Sequence, residues 1–269
     1  MQPGFNPIIA FVDLDDTLFQ TKDKCPGTVS PDELVAASNA STGKPHSFTT
    51  AKQRSLLRWL QSGAVIVPTT ARDVAGLRRC TLPFAAQGPA ICGFGGTILG
   101  RDGIEDKAWT SHMNTVLHPA EGILGELKGK AMALGEGNGI SLRATLLQEN
   151  GLHLYLSVKP ENASPGSMVR FAEVGRSLAA LLPDGWRLHL NTVSMAVLPP
   201  GLSKQNAVRY FLEHHAEPDA VTLGFGDSLS DGGFMALCDW AAVPNATQIG
   251  RAFAGMIERF DESGFHEPS

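Results

Sequence analysis

An apolar run at 8–12 ends abruptly in three carboxylates, those of Asp13, Asp15 and Asp16. Five successive apolar residues predict a strand buried on both faces, as in parallel sheets. Side chains two apart on a strand share a face, so Asp13 and Asp15 can meet at the carboxyl end of the strand, where such sheets bind ligands. Because clustered carboxylates repel one another, the pattern favours a bound cation. Carboxylate oxygens suit a hard ion such as Mg²⁺.

Three other segments supply polar groups that would complete such a site. Thr70 ends a second apolar run, Lys204 stands at a predicted helix start, and Asp227 and Asp231 follow a further apolar run. A hydroxyl, a lysine and the backbone N–H groups at helix starts can hold the oxygens of a phosphate. With a cation they would form a site for phosphoryl transfer, in which catalysis is mainly positioning and neutralisation of negative charge.

The elements that position these residues show two different patterns. Buried parallel strands are predicted at 8–12, 64–70 and 221–227, and a further strand at 90–93 precedes a predicted hairpin. Alternation of apolar and polar residues predicts a sheet with one wet face at 141–147, 152–158 and 186–198. The segment 20–47 is rich in Pro, Gly, Ser and Lys, which predicts a loop with one short helix after Pro31. We therefore expect an α/β fold with a doubly wound parallel-sheet core, into which an α+β module is inserted.

Composition restricts the class of partner. A net charge of -5 over 269 residues argues against nucleic-acid binding through bulk electrostatics. No segment approaches the roughly 18 apolar residues of a membrane span, and Met1–Gly4 lacks the start of a signal peptide. The four cysteines are scattered, which is typical of reduced thiols in a cytoplasm. We expect a cytoplasmic protein that binds neither nucleic acid nor membrane.

Four segments resemble, in order, the four motifs of the haloacid dehalogenase superfamily of phosphatases. The motifs are an acid pair with a threonine, a strand ending in a hydroxyl, a lysine before a helix, and Gly-Asp followed by a second aspartate. They are matched by Asp13-Leu14-Asp15-Asp16-Thr17, Val67-Pro68-Thr69-Thr70, Lys204 and Gly226-Asp227-Ser228-Leu229-Ser230-Asp231. Thr70-Ala71-Arg72 is also similar to the T-G-R of one branch. The matches occur in order and at strand ends, which makes the set specific.

The position of the inserted module resembles one branch of that superfamily. Members with a large α/β cap between the second and third motifs include Cof-type sugar phosphatases, sucrose- and trehalose-phosphate phosphatases, and eukaryotic phosphomannomutases. The resemblance implies a core formed by 1–82 and 191–269, with a substrate-specificity cap at 83–190. Gly93-Phe94-Gly95-Gly96 departs from this branch, in which relatives often read S-N-G, and Ser230 stands where they often have Asn.

The resemblance also implies a role for each core residue. Asp13 would attack phosphorus and form an aspartyl phosphate, and Asp15 would protonate the leaving alcohol and then activate water. Mg²⁺ would be bound by Asp13, the Asp15 carbonyl and Asp227, with Asp231 binding or orienting that shell. The phosphoryl oxygens would be held by Thr70 and Lys204.

The residues that contact the rest of the substrate are less clearly marked. The candidates are cationic or polar side chains, namely Arg72, Arg143, Arg187, His189 and Asn191. The sequence thus predicts a Mg²⁺-dependent phosphomonoester hydrolase that acts on a small phosphorylated metabolite, with a sugar phosphate as the leading class. Two alternatives remain open, a phosphomutase with the same aspartyl-phosphate chemistry and a regulator that binds a phosphometabolite without turnover.

Overall fold

The chain folds into a mixture of strands and α-helices. The structure, a computed structural model, describes residues 7–85, 87–191 and 193–263. The strands are β1 (Ile8–Val12), β2 (Gln20–Thr21), β3 (Val35–Asn39), β4 (Pro45–Thr49), β5 (Ala64–Pro68), β6 (Ala90–Cys92), β7 (Thr97–Leu99), β8 (Leu142–Glu149), β9 (Leu152–Pro160), β10 (Arg187–Leu190), β11 (Met195–Leu198), β12 (Val221–Phe225) and β13 (Trp240–Ala242). The helices are α1 (Ala51–Gln61), α2 (Val74–Arg78), α3 (Lys107–Leu117), α4 (Glu121–Gly137), α5 (Pro165–Ala179), α6 (Lys204–His214), α7 (Leu229–Met235) and α8 (Gln248–Ser263).

A parallel sheet with strand order β13-β12-β1-β5 forms the centre of the fold. Strand β1 lies inside it, and Ala10, Phe11 and Val12 are fully buried, which stabilises the fold by about 1.5–3 kcal/mol for each large apolar side chain. In register, Val12 lies opposite both Phe225 and Pro68. The three strands therefore end level, and the residues that follow them lie at one edge of the sheet. The predicted α/β fold class is confirmed.

The chain divides into two compact units. The first is formed by the chain up to Ile104 and from Lys204 onward, and the second is Glu105–Ser203. These bounds differ from the predicted insertion at 83–190. Hydrogen bonding explains the difference at the first boundary, because Ile91 on β6 bridges to Thr69 at the end of β5. The strand that follows 83 therefore belongs to the first unit.

The second boundary differs because β10 and β11 pair with each other within the inserted unit. The antiparallel sheet of this unit has the order β10-β11-β9-β8, so the chain up to residue 203 stays with it. The predicted alternating stretch 186–198 is a hairpin rather than one strand. Buried residues of α4, α5 and the sheet form the core of the unit, for example Leu124, Phe171 and Val158. The prediction of an α+β module is thus confirmed.

The segment 20–47, predicted as a loop, instead contributes a three-stranded antiparallel sheet of order β2-β4-β3. Its strands gain hydrogen bonds from a distant part of the chain, since Thr81 N–H donates to the Ala37 carbonyl at 2.9 Å and Asn39 N–H to the Arg79 carbonyl at 3.0 Å. Such tertiary partners leave no periodic pattern in the segment itself.

The remaining predictions about the chain as a whole rest on composition. All four cysteines are free thiols. Within the described residues no helix is both long enough and apolar enough to cross a membrane. Residues Met1–Gly4, on which the signal-peptide prediction rests, lie outside the described part of the chain.

Candidate active site

The level strand ends bring the first two predicted motifs and the fourth to one sheet edge. Asp13 N–H donates to the Phe225 carbonyl at 2.8 Å, so the residue after β1 still pairs with the end of β12. Beyond β5, Thr69 N–H donates to the Val12 carbonyl at 2.8 Å. Backbone pairing therefore fixes where Asp13 lies relative to the loops that follow β5 and β12.

Lys204, the first residue of α6, places its ammonium group between two carboxylates. Its Nζ atom lies 2.6 Å from Asp13 Oδ1 and 2.6 Å from Asp231 Oδ1, and all three side chains are less than a tenth exposed. Burial opposes the lysine charge, but the two carboxylates outweigh burial and raise the pKa of Lys204 above its ordinary value. The rings of Phe94 and Phe234 lie about this ammonium, with centroids 6.0 and 5.9 Å away.

Asp231 is bound on both of its oxygens by the protein. Its Oδ2 atom accepts hydrogen bonds from Ser228 Oγ at 2.7 Å, Ser228 N–H at 3.0 Å and Asp227 N–H at 3.3 Å. Burial would raise the pKa of Asp231, but Lys204 and these donors lower it overall. Asp231 is thus a fixed anion that orients Lys204 and the backbone of Asp227. Of its two predicted roles, this arrangement favours orientation over direct metal binding.

Negative charge exceeds positive charge at this edge. Carboxylate oxygens of Asp13, Asp227 and Asp231 lie within 4.8 Å of one another, and Lys204 offsets one of the three charges. Burial, with the nearby carboxylates of Asp231 and Asp16, raises the pKa of Asp227 to about 7. Burial also raises the pKa of Asp13 well above its usual range despite Lys204. An all-oxygen donor set with unbalanced negative charge fits a hard divalent cation such as Mg²⁺.

Asp15 and Arg72 form a bidentate ion pair. Arg72 Nε lies 2.6 Å from Asp15 Oδ2, and Nη2 lies 2.6 Å from Oδ1. The Arg72 side chain is 17% exposed and that of Asp15 is 49% exposed. Although Arg72 was predicted to contact substrate, the structure places its guanidinium against the predicted general acid.

Two threonines follow β5, and their partners differ. The Thr69 hydroxyl donates to the Val67 carbonyl of its own strand at 3.1 Å. The Thr70 hydroxyl accepts from Arg72 N–H at 3.1 Å, which leaves its O–H proton for a further acceptor. Of the two hydroxyls, that of Thr70 is therefore better placed to donate to a further acceptor, and its role in binding a phosphoryl oxygen stays a prediction.

No role was predicted from the sequence for two residues that contact the aspartates at this edge, Thr17 and Lys24. Thr17 Oγ1 donates to Asp13 Oδ2 at 3.3 Å, and its place in the first motif was the signal that could have found it. Lys24 pairs with Asp16, whose φ of 65° is unusual for a residue other than glycine. Lys24 lies in the segment 20–47, whose residues show no periodicity that would indicate this pairing.

The other predicted substrate residues belong to the inserted unit. Arg143 is exposed on β8 and lies opposite Lys159 of β9. Arg187 donates through Nη2 to the Leu202 carbonyl. Asn191 Oδ1 accepts from Val193 N–H and Ser194 N–H at 3.0 and 2.8 Å, which closes the turn between β10 and β11. Arg187 and Asn191 thus have structural partners inside their own unit.

The fourth predicted substrate residue of this unit, His189, is half-buried on β10. It lies opposite Ala196 of β11. Arg187 and His189 share one face of β10, as the alternation predicted. Asn191, predicted to continue that face, lies just beyond the end of the strand.

Comparison with known proteins gives matches of structure only. No protein-family model matches the chain, and neither does any curated protein. The sucrose-phosphatase of Synechocystis sp., solved with sucrose and phosphate, matches with a TM-score of 0.51 and 16% identity, over 96% of this chain and 99% of that one. The C-terminal domain of trehalose-6-phosphate phosphatase from C. albicans matches with a TM-score of 0.52 and 11% identity, over 98% and 80%.

The chain has the fold of these two phosphatases. The match extends over almost the whole chain, so it includes the inserted unit as well as the parallel-sheet core. The predicted resemblance to sucrose- and trehalose-phosphate phosphatases is thereby confirmed at the level of fold. A shared fold does not determine the chemistry of this chain, which depends on its own site residues.

Proposed function

We propose that this protein is a Mg²⁺-dependent phosphomonoester hydrolase that acts on a small phosphorylated metabolite. The observation that carries the proposal is the buried Asp13 carboxylate, held 2.6 Å from the Lys204 ammonium beside two further aspartates. In a site that only bound phosphate, cationic side chains would raise the affinity, whereas a buried carboxylate at the centre of the site would repel the ligand. A carboxylate in that place makes sense as a nucleophile.

The reaction would proceed in two steps. An Asp13 oxygen attacks phosphorus, the bond from phosphorus to the leaving oxygen breaks, and Asp15 gives that oxygen a proton. Water then attacks the phosphorus of the aspartyl phosphate while Asp15 takes one of its protons. The Asp13–phosphorus bond breaks, which releases inorganic phosphate and restores both carboxyl groups.

Lys204 and Thr70 would hold the phosphoryl oxygens during both steps. The ammonium of Lys204 already touches Asp13, so it would reduce the repulsion between the nucleophile and an anionic substrate. Asp13 and Asp227 would hold the metal ion, and Asp231 would orient Asp227 through its backbone N–H. A bound Mg²⁺ supplies neutralisation of the charge on the phosphoryl group.

A sugar phosphate is the first substrate class to test. Two of the proteins that share this fold are, by their names, a sucrose-phosphatase and a trehalose-6-phosphate phosphatase. The inserted unit would close over such a substrate and select its leaving group. A cytoplasmic location, with no nucleic-acid or membrane partner, stays a prediction from composition.

A phosphomutase is the second candidate, and one observation favours it. Arg143 and Lys159 are cross-strand neighbours on the sheet of the inserted unit, and together they could supply cationic groups for a second phosphate. The products separate the candidates, since a hydrolase releases free phosphate and a mutase yields an isomerised sugar phosphate.

The test is phosphate release from a panel of sugar phosphates and other phosphomonoesters, with Mg²⁺ and with EDTA. We expect release with Mg²⁺ that is lost in EDTA and in Asp13→Asn. The matched control is Asp219→Asn, which makes the same change at an exposed position and should keep full activity. Metal-dependent release that persists in Asp13→Asn contradicts the proposed nucleophile. A folded wild-type protein that turns over no substrate favours the non-catalytic regulator.

A further inference from the structure

The Arg72 guanidinium and the Asp15 carboxylate meet in a fork-to-fork geometry. Two nitrogens of Arg72 face the two oxygens of Asp15, each pair at 2.6 Å. Such charge-assisted pairs are the strong class of side-chain hydrogen bond and fix the plane of the carboxylate as well as its position. A lone ion pair on the surface would do little, but Arg72 is largely buried.

Arg72 is itself held from several directions. Its guanidinium carbon lies 5.0 Å from the centroid of the Phe19 ring, and Nη1 donates to the Gly76 carbonyl at 3.5 Å. Its backbone N–H donates to Thr70 Oγ1 at 3.1 Å, and its carbonyl accepts from Gly93 N–H at 2.7 Å. The arginine is thus a rigid support, whereas the Asp15 side chain is half exposed and would sample several rotamers if left unheld.

Each nitrogen of the Arg72 guanidinium has a hydrogen-bond partner within the protein. Nε and Nη2 bind Asp15, and Nη1 binds Gly76. A guanidinium that binds a substrate phosphate would present two of these nitrogens to the ligand. Arg72 presents them to Asp15, so its expected role as a substrate ligand does not match its contacts.

We propose that Arg72 is the positioning residue of Asp15. It holds the carboxyl group by one side, so that the side open to solvent faces the oxygen that receives or gives the proton. This inference rests on the proposed function, in which Asp15 transfers that proton. A positioned general acid contributes about 10²–10⁴-fold to such reactions. Loss of the support leaves the acid present but poorly oriented, so we expect about 10–100-fold lower kcat in Arg72→Met.

The choice of leaving group distinguishes positioning from substrate binding. An alkyl phosphate such as a sugar phosphate needs the proton of Asp15, whereas p-nitrophenyl phosphate has a stable anionic leaving group and needs little help. Arg72→Met should therefore lose kcat on the sugar phosphate about 10-fold or more while it loses little on p-nitrophenyl phosphate. Asp15→Asn should show the same selectivity more strongly. Inhibition by inorganic phosphate should be unchanged in Arg72→Met.

Conservative replacement and chemical rescue add a readout that a merely structural role would not give. Arg72→Lys supplies a charge without the planar fork and should remain impaired on the sugar phosphate. Added guanidinium ion should restore part of the activity of Arg72→Ala on the sugar phosphate and none on p-nitrophenyl phosphate. Equal losses on both substrates, together with weaker inhibition by phosphate, would overturn the positioning role and show that Arg72 binds the phosphoryl group.

A measurement without turnover separates this inference from the proposed function. In NMR spectra of the wild-type protein, the Arg72 Nε–H should exchange slowly with solvent, and Asp15→Asn should abolish this protection. Rapid exchange in the wild type shows that the pair does not persist and overturns the inference by itself. A protected Nε–H in a wild-type protein that releases no phosphate refutes the proposed function, and the positioning role falls with it.

Discussion

Asp227→Asn should stabilise the protein in the absence of metal, although it removes a predicted metal ligand. The pKa of Asp227 rises from 3.8 to about 7 on folding, because burial and the Asp231 carboxylate penalise its charge. Between these two values the folded protein binds more protons than the unfolded chain does. By linkage, its stability falls as pH rises from about 4 to 7 and stays low above that range.

The size of the effect follows from the two pKa values. A tenfold change in proton affinity is worth about 1.4 kcal/mol, so the full difference corresponds to about 4 kcal/mol. Because Asp227 is partly exposed, solvent screening reduces this to about 2 kcal/mol. Asparagine has the same shape without the charge. At pH 8 in EDTA we expect the variant to unfold at a temperature higher by about 4–8 °C, and at pH 4 to match the wild type.

Thermal unfolding followed by circular dichroism from pH 4 to pH 8 provides the assay, with Asp219→Asn as the exposed control. Added Mg²⁺ should raise the unfolding temperature of the wild type at pH 8 much more than at pH 5, because the ion must replace a proton. It should do little for Asp227→Asn. If the variant unfolds at or below the wild-type temperature at pH 8 in EDTA, Asp227 carries no uncompensated charge and the metal-site argument fails.

Two further predictions concern packing around the same charges. Lys204→Met should lower the free energy of unfolding, measured in urea, by about 3–5 kcal/mol, because it leaves buried carboxylates unpaired. Adding Asp231→Asn should recover part of this loss. A loss below about 1 kcal/mol would contradict the buried pairing. Gly226→Ala would put a Cβ 2.4 Å from the Asp231 Cβ and should weaken Mg²⁺ binding measured by calorimetry. Gly232→Ala is the control, because its Cβ would meet open space in α7. It should slightly stabilise the protein and leave Mg²⁺ binding unchanged. If both substitutions weaken Mg²⁺ binding equally, the close contact with Asp231 is not the cause.

The core of the fold was predictable because its strands are short and apolar and end in polar residues. Four of the five residues in the run 8–12 are buried, and parallel pairing then leaves little freedom in where Asp13 and Asp227 lie. The unit boundaries were not predictable in the same way. They depend on which strand β6 and β11 pair with, and pairing partners do not show in the periodicity of either segment.

The sequence predicts which residues form the candidate site better than it predicts which of their side chains contact one another. Lys204 and Asp231 are 27 residues apart, and their place at the starts of helices beside the sheet edge brought them together. Asp15 and Arg72 are 57 residues apart, and their pairing depends on side-chain direction, which sequence spacing does not reveal. Lys24 reaches Asp16 from a segment without periodicity, so its role could not be read from the sequence.

The central claim is that Asp13 becomes covalently phosphorylated. The most direct measurement is mass spectrometry of the protein after rapid acid quenching during turnover of a substrate found in the phosphate-release panel. We predict a phosphate on the peptide that carries Asp13, which forms in Mg²⁺, disappears as the substrate is used up, and is absent in Asp13→Asn. Rapid release of phosphate with no phosphorylated Asp13 at any quench time would contradict the account.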